Sequence, residues 1–243
     1  MLRPLTLGLF LIAGPVAGQT DAITIELDGA KALHLSALFS NVDILSADGD
    51  EITVDHKVLV EGEPHPELGQ LDIRRDGSRI TVTETGPSLD QLQKLQKDRS
   101  WQDHCCNSQI SMTIRVPAGV EVSVETIYGS VDVTDLKALT QIRATYGGVT
   151  VVYRDAPLPD ELSLYSNYGA VDLTVPPAQP LTVELQTQFG ELLTDVDLDI
   201  DTKSSERRDF FERVVGTVAG GGRASVRCEA PYGKIYLRNG AGR

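Results

Sequence analysis

The chain has 243 residues, with 22 Lys plus Arg against 35 Asp plus Glu, a formal charge of −13. At 41% hydrophobic and 23% charged residues it is long enough and apolar enough to bury a core, which excludes wholesale disorder. The acidity excludes a binder of nucleic-acid backbone, which needs a basic face, and three Cys exclude a disulfide-framed mini-domain.

Residues 1–18 have the form of a secretory signal peptide. Arg3 supplies the positive start, Leu5 to Ala13 the apolar core, and Val16 and Gly18 the small residues of a cleavage site before Gln19. The mature chain then carries 21 − 35 = −14. No later segment approaches 18 apolar residues, so no membrane-spanning segment is expected in it. Residues 19–243 are read as one exported domain, with the periplasm as the expected location and secretion or the cell surface as the alternatives.

Alternation of apolar and polar residues predicts strands at Ile23 to Leu27, Glu51 to Val60, Leu71 to Arg75 and Ser78 to Glu84. Asp48-Gly49-Asp50 and Asp76-Gly77 are turn signals between them. An insertion at about 87–109 breaks the pattern. There Ser88 and Gln91 have capping-box spacing and Leu89, Leu92 and Leu95 recur at helical intervals, which predicts a short helix. Ile110 to Val116 alternates again and stops at Pro117.

From there an aromatic-Gly pair recurs: Tyr128-Gly129, Tyr146-Gly147, Tyr168-Gly169, Phe189-Gly190 and Tyr232-Gly233. The successive spacings are 18, 22, 21 and 43 residues, the last about two periods, and Phe39-Ser40 is a degenerate copy. Of the 24 positions standing four and six residues before each aromatic and two and four after each Gly (or Ser40), 22 are apolar, against about 10 expected from composition. Both flanks are therefore strands with one buried face, and the buried phase slips by one residue at each pair. A corner must absorb that slip, and Gly tolerates the unusual dihedrals of a corner. Each repeat reads as strand, corner, strand, and units of about 20 residues of this kind stack. A second insertion, about 195–215, includes Thr202 to Val214, for which a helix is expected. Gly216 and Gly220-Gly221-Gly222 mark the return to β structure.

The run VPAGVEVSVETIYGSVDVTDL, the later YG copies, AGGGRASVRCEAPYGKIYL and the opening NVDILSADGDEITVDHKV resemble the bacterial putative-adhesin family of domains of unknown function, also called the toastrack domain. The resemblance covers about residues 23–240 apart from the two insertions. It implies a right-handed β-solenoid-like, all-β fold, usually outside the cytoplasmic membrane, and carries no catalytic residues. This chain departs from the family in having mainly Tyr where relatives have Asn, Ser or Asp before the Gly, and in the Cys pair of its first insertion.

Cys228 stands in an inward strand slot, and Cys105 and Cys106 are vicinal. In an oxidising compartment Cys228 is expected to pair with one of them, the alternative being a small buried hydrophobe. The aromatics of the repeat share the phase of the inward residues, which predicts a buried or half-buried structural ladder rather than a stacking platform for sugar rings or a partner surface. Asp43, Asp132 and Asp172 share one outward slot, and Asp195, Asp197, Asp199 and Asp201 alternate. They are read as a solvated face, because the calcium loops that use such acids are absent. Nucleophile-elbow, phosphate-loop and zinc-protease motifs are also absent. No catalytic residue, cofactor or metal is assigned. The reading is a non-catalytic binding or scaffold domain of the bacterial cell envelope, with an envelope protein or a glycan as partner. The alternatives are a carbohydrate-active β-solenoid enzyme and a structural protein that self-associates through uncapped end rungs.

Overall fold

The computed structural model describes residues 22–86 and 108–240. Those residues form an all-β structure of two mixed sheets. In chain order the strands are β1 (Ile23–Glu26), β2 (Ala32–Ala37), β3 (Asn41–Ala47), β4 (Glu51–Val60), β5 (Glu63–Pro64), β6 (Gln70–Asp76) and β7 (Arg79–Thr85). After the first insertion come β8 (Ser108–Pro117), β9 (Glu121–Thr126), β10 (Val131–Thr134), β11 (Leu139–Ala144), β12 (Val149–Val152), β13 (Glu161–Ser166) and β14 (Val171–Val175). The chain closes with β15 (Leu181–Thr187), β16 (Leu192–Thr194), β17 (Asp199–Ile200), β18 (Glu206–Arg208), β19 (Phe211–Val218), β20 (Ala224–Ala230) and β21 (Ile235–Asn239).

Six strand–bend–strand units make the centre of the molecule. The first strand of each lies in one sheet, in the order β2-β9-β11-β13-β20-β15. The second lies in the other, in the order β3-β10-β12-β14-β21-β16. All neighbours within these two runs pair in parallel. The alternating residues of both strands meet between the sheets, so Val122, Val124, Val131 and Val133 of one unit, and their counterparts in the others, form one continuous core.

Order in space departs from order in the chain. The last unit, β20–β21, is inserted between β13–β14 and β15–β16. The 43-residue interval before Tyr232 holds the reason. After β16 the chain runs through β17 and β18 into β19, which pairs antiparallel with the outer side of β15. It then crosses the start of β15 to reach the inner side. Ala219, Gly220 and Gly221 turn it with positive φ, and Gly222 passes so close to Pro180 that a Cβ would overlap that backbone.

The helix expected over Thr202–Val214 is replaced by β18 and the first half of β19. Val214 stands opposite Leu185 and Gly216 opposite Val183. The β-branched run Val214-Val215 and the edge of β15 that needed a partner outweigh the weak local helical pattern. The helix expected in the first insertion lies outside the described residues, as does the signal peptide. The parallel run is covered in both sheets at one end and in one sheet only at the other, where β16 is an edge strand. Antiparallel β4, β1 and β6 flank one end, and β19 with β17 and β18 flanks one sheet at the other.

Candidate functional site: an aromatic ladder on the bend edge

At each bend the strand ends two residues before the aromatic, at a buried position: Ala37, Thr126, Ala144, Ser166, Thr187 and Ala230. The next three residues turn the corner, and the aromatic, although in phase with the inward residues, is turned out to solvent. Of the buried or half-buried ladder expected from alternation the structure has the half-buried form, because the period-2 rule stops applying where the strand stops. Phe39, Tyr128, Tyr146, Tyr168, Tyr232 and Phe189 are 41–57% exposed. In that spatial order their rings stack with centroids 5.1–5.4 Å apart and planes within 16°. Phe210, from the β18–β19 turn, adds a seventh ring at 5.6 Å from Phe189, tilted by 37°. The ring spacing follows the strand spacing, close to van der Waals contact, so the parallel register itself builds the ladder.

The glycine beside each ring is required by close approach rather than by dihedral angle. None of Gly129, Gly147, Gly169, Gly190 and Gly233 has positive φ. A Cβ on each would instead overlap a backbone carbonyl of the neighbouring bend: Ser40, Gly129, Gly147, Gly233 and Gly169 respectively. Backbone bonds knit the bends together. The N–H of Tyr146 donates to Ile127 O at 2.8 Å and that of Tyr168 to Thr145 O at 3.1 Å. Buried hydroxyls complete the bonding: Ser166 Oγ donates to Gly147 O at 2.8 Å and accepts from Gly169 N at 3.0 Å, and Thr187 Oγ1 accepts from Gly190 N at 3.1 Å.

The first bend lacks a preceding glycine bend, and Glu84 of β7 takes that place. Its Oε2 accepts the N–H groups of Leu38, Phe39 and Ser40 at 2.7–3.1 Å, and its Oε1 accepts Ser40 Oγ at 3.0 Å. His56 Nε2 lies 3.5 Å away, itself buried. Burial alone would raise the Glu84 carboxyl, but His56 and the three backbone donors outweigh it and hold the group at about 2. Neither Glu84 nor Phe210 was legible as part of this edge. Glu84 read as one end of a strand, and Phe210 lay inside an expected helix.

Cys228 is fully buried between Leu164 and Leu185, and its thiol is free and pushed up to about 12 by burial. Cys105 and Cys106, the expected partners of a Cys228 bridge, lie outside the described residues.

Asp43, Asp132 and Asp172 lie on the sheet containing β3, β10 and β14, whereas Asp199 belongs to β17 of the other sheet. Asp43 and Asp132 are neighbours in register, and Asp43 is raised, by burial first and then by the Asp132 charge. Asp172 accepts Arg238 Nε at 2.7 Å, and Asp195 accepts Asn239 N at 2.7 Å. Both line a shallow hollow of about 260 Å³ with Thr150, Arg154 and Arg238, and Asp172 is charge-matched there. Among the described residues no three His, Cys, Asp or Glu gather as a metal group would require.

No family model matches the chain, and no curated protein matches it. A crystal structure described as that of a putative cell adhesion protein from Clostridium sporogenes has a similar fold. Its TM-score is 0.56 over 90% of this chain and 98% of that one, at 12% identity.

Proposed function

We propose that this protein is an exported, adhesin-like binding module of the bacterial envelope, a right-handed solenoid of the toastrack kind, that works by presenting its bend edge rather than by catalysis. The ladder carries this reading. Six stacked rings, four of them Tyr, stand half-exposed along one edge, where a row of polar residues would serve solubility as well. Stacked face to face, the inner rings offer solvent only their edges and hydroxyls. A sugar ring seeks an aromatic face, so the ridge suits a protein surface with a complementary groove better than a glycan. The adhesion label of the Clostridium structure is in keeping with a binding role.

The test is co-sedimentation of the mature protein with isolated envelope fractions. A Tyr146→Ala/Tyr168→Ala variant with an unchanged far-UV spectrum should bind at least tenfold more weakly, since buried Tyr side chains are common energetic anchors of interfaces. Unchanged binding by the folded variant counts against the ridge as the working surface.

A further inference from the structure

The β18–β19 hairpin breaks a backbone rule at its tip. Arg208 pairs with Phe211, so Asp209 and Phe210 form a two-residue turn. Phe210 has φ +59°, in the left-handed region that such turns reserve for Gly or Asn. At 73% exposed it is also the most exposed large hydrophobic residue described. Its one tilted contact, with Phe189, is of the same order as the strain it costs, so the fold gains little from a Phe there. A strained, exposed aromatic points to a role outside the monomer.

The surroundings narrow the partner. Phe210 is the outermost ring at its end of the ladder. It adjoins β17 and β18, which form the outer edge of their sheet and carry exposed Ile200. Residues 201–213 hold four basic and four acidic side chains, a neutral stretch in a chain of net charge −13. Its ion pairs, Arg207 with Glu212 at 3.7 Å and Arg208 with Glu206 at 3.2 Å, leave both arginines and Glu206 solvent-exposed, with Glu212 partly buried, and such surface pairs exchange readily. Elsewhere the acidic chain repels its own kind, whereas here one surface supplies both signs. A partner of a single sign would meet as much repulsion as attraction.

We propose that this edge docks on a second copy of the chain, hairpin to hairpin about a two-fold axis, with Phe210 as the anchor. In that arrangement Arg207 of one protomer meets Glu212 of the other, and each short β18 edge gains a neighbour. The proposal shares only the end ring Phe210 with the bend-edge ladder, and its readout, self-association, is distinct from envelope binding, so either reading can fail alone.

Sedimentation velocity of the mature protein from 1 to 200 µM tests it. The wild type should show a concentration-dependent monomer–dimer equilibrium. Phe210→Gly, which relieves the strain, should keep or raise the thermal midpoint while weakening dimerisation at least tenfold. Arg207→Glu and Glu212→Arg should each lose the dimer alone and recover it when mixed, since the mixture restores both cross-pairs. A wild type that stays monomeric overturns the proposal. So does a dimer that survives Phe210→Gly, or a mixture of the charge variants that stays monomeric. A Phe210→Gly chain that loses stability assigns the ring to folding and overturns it too.

Discussion

Replacing Gly147 by Ala tests the close packing of the bends with one methyl group. An added Cβ would stand 2.7 Å from Ser130 N and nearer still to the Gly129 carbonyl, both backbone atoms of the adjoining bend. On Gly148, one residue along, the nearest atom would be Ala170 O at 3.6 Å, an ordinary contact. Neither glycine has positive φ, so the pair isolates crowding from dihedral strain. Overpacking costs about 1–3 kcal/mol. Pushing the bends apart also stretches the Tyr146–Ile127 and Thr145–Thr126 backbone bonds, worth about 1 kcal/mol each. Gly147→Ala should therefore lose about 3–5 kcal/mol. Gly148→Ala should stay within about 0.5 kcal/mol of the wild type, or gain slightly by restricting the unfolded chain. With a urea slope of about 3 kcal/mol/M, the midpoint of Gly147→Ala should fall by about 1 M or more. Coinciding midpoints for the two variants would refute the packing argument.

Glu84→Gln places amide hydrogens against backbone donors and should cost about 3 kcal/mol near neutral pH. Because the folded carboxyl is held at about 2, below its ordinary 4.5, that stability is complete above about pH 5 and is lost as pH falls toward 2. Urea melts of wild type and variant should accordingly converge between pH 5 and 2, and a constant gap would contradict the assignment. Cys228 should resist thiol reagents in the native protein and react fully once unfolded. Because burial disfavours its thiolate, the thiol leaves stability unaffected below about pH 9 and lowers it as pH rises from 9 toward 12. Peptide mapping of unreduced protein should recover Cys228 as the free buried thiol of the structure, and a link to Cys105 or Cys106 would contradict that state. Mass analysis of the exported protein should give an amino terminus at Gln19, and retention of residues 1–18 would contradict the signal reading.

The local part of this architecture was written in the sequence, because a strand's faces follow from its own alternation. Val122, Val124, Val131 and Val133 announce two one-sided strands, and the phase slip between them announces a bend, whatever lies nearby. What the bend does with its aromatic was not local. The ring of Tyr146 turns outward because the strand has ended at Ala144, and its glycine is needed because another backbone passes behind it. Unit order was not local either. All six units carry nearly the same apolar pattern, so periodicity cannot rank their neighbours, and β20–β21 was placed by the crossing at Gly222. The same holds for Thr202–Val214, whose weak helical pattern yielded to the open edge of β15, and for Glu84, whose charge gained a role only when Leu38, Phe39 and Ser40 brought three unpaired N–H groups to it. Pattern along the chain sets which face of a residue is buried. Which partner it is buried against depends on contacts between distant segments, and those are decided only when the whole chain closes.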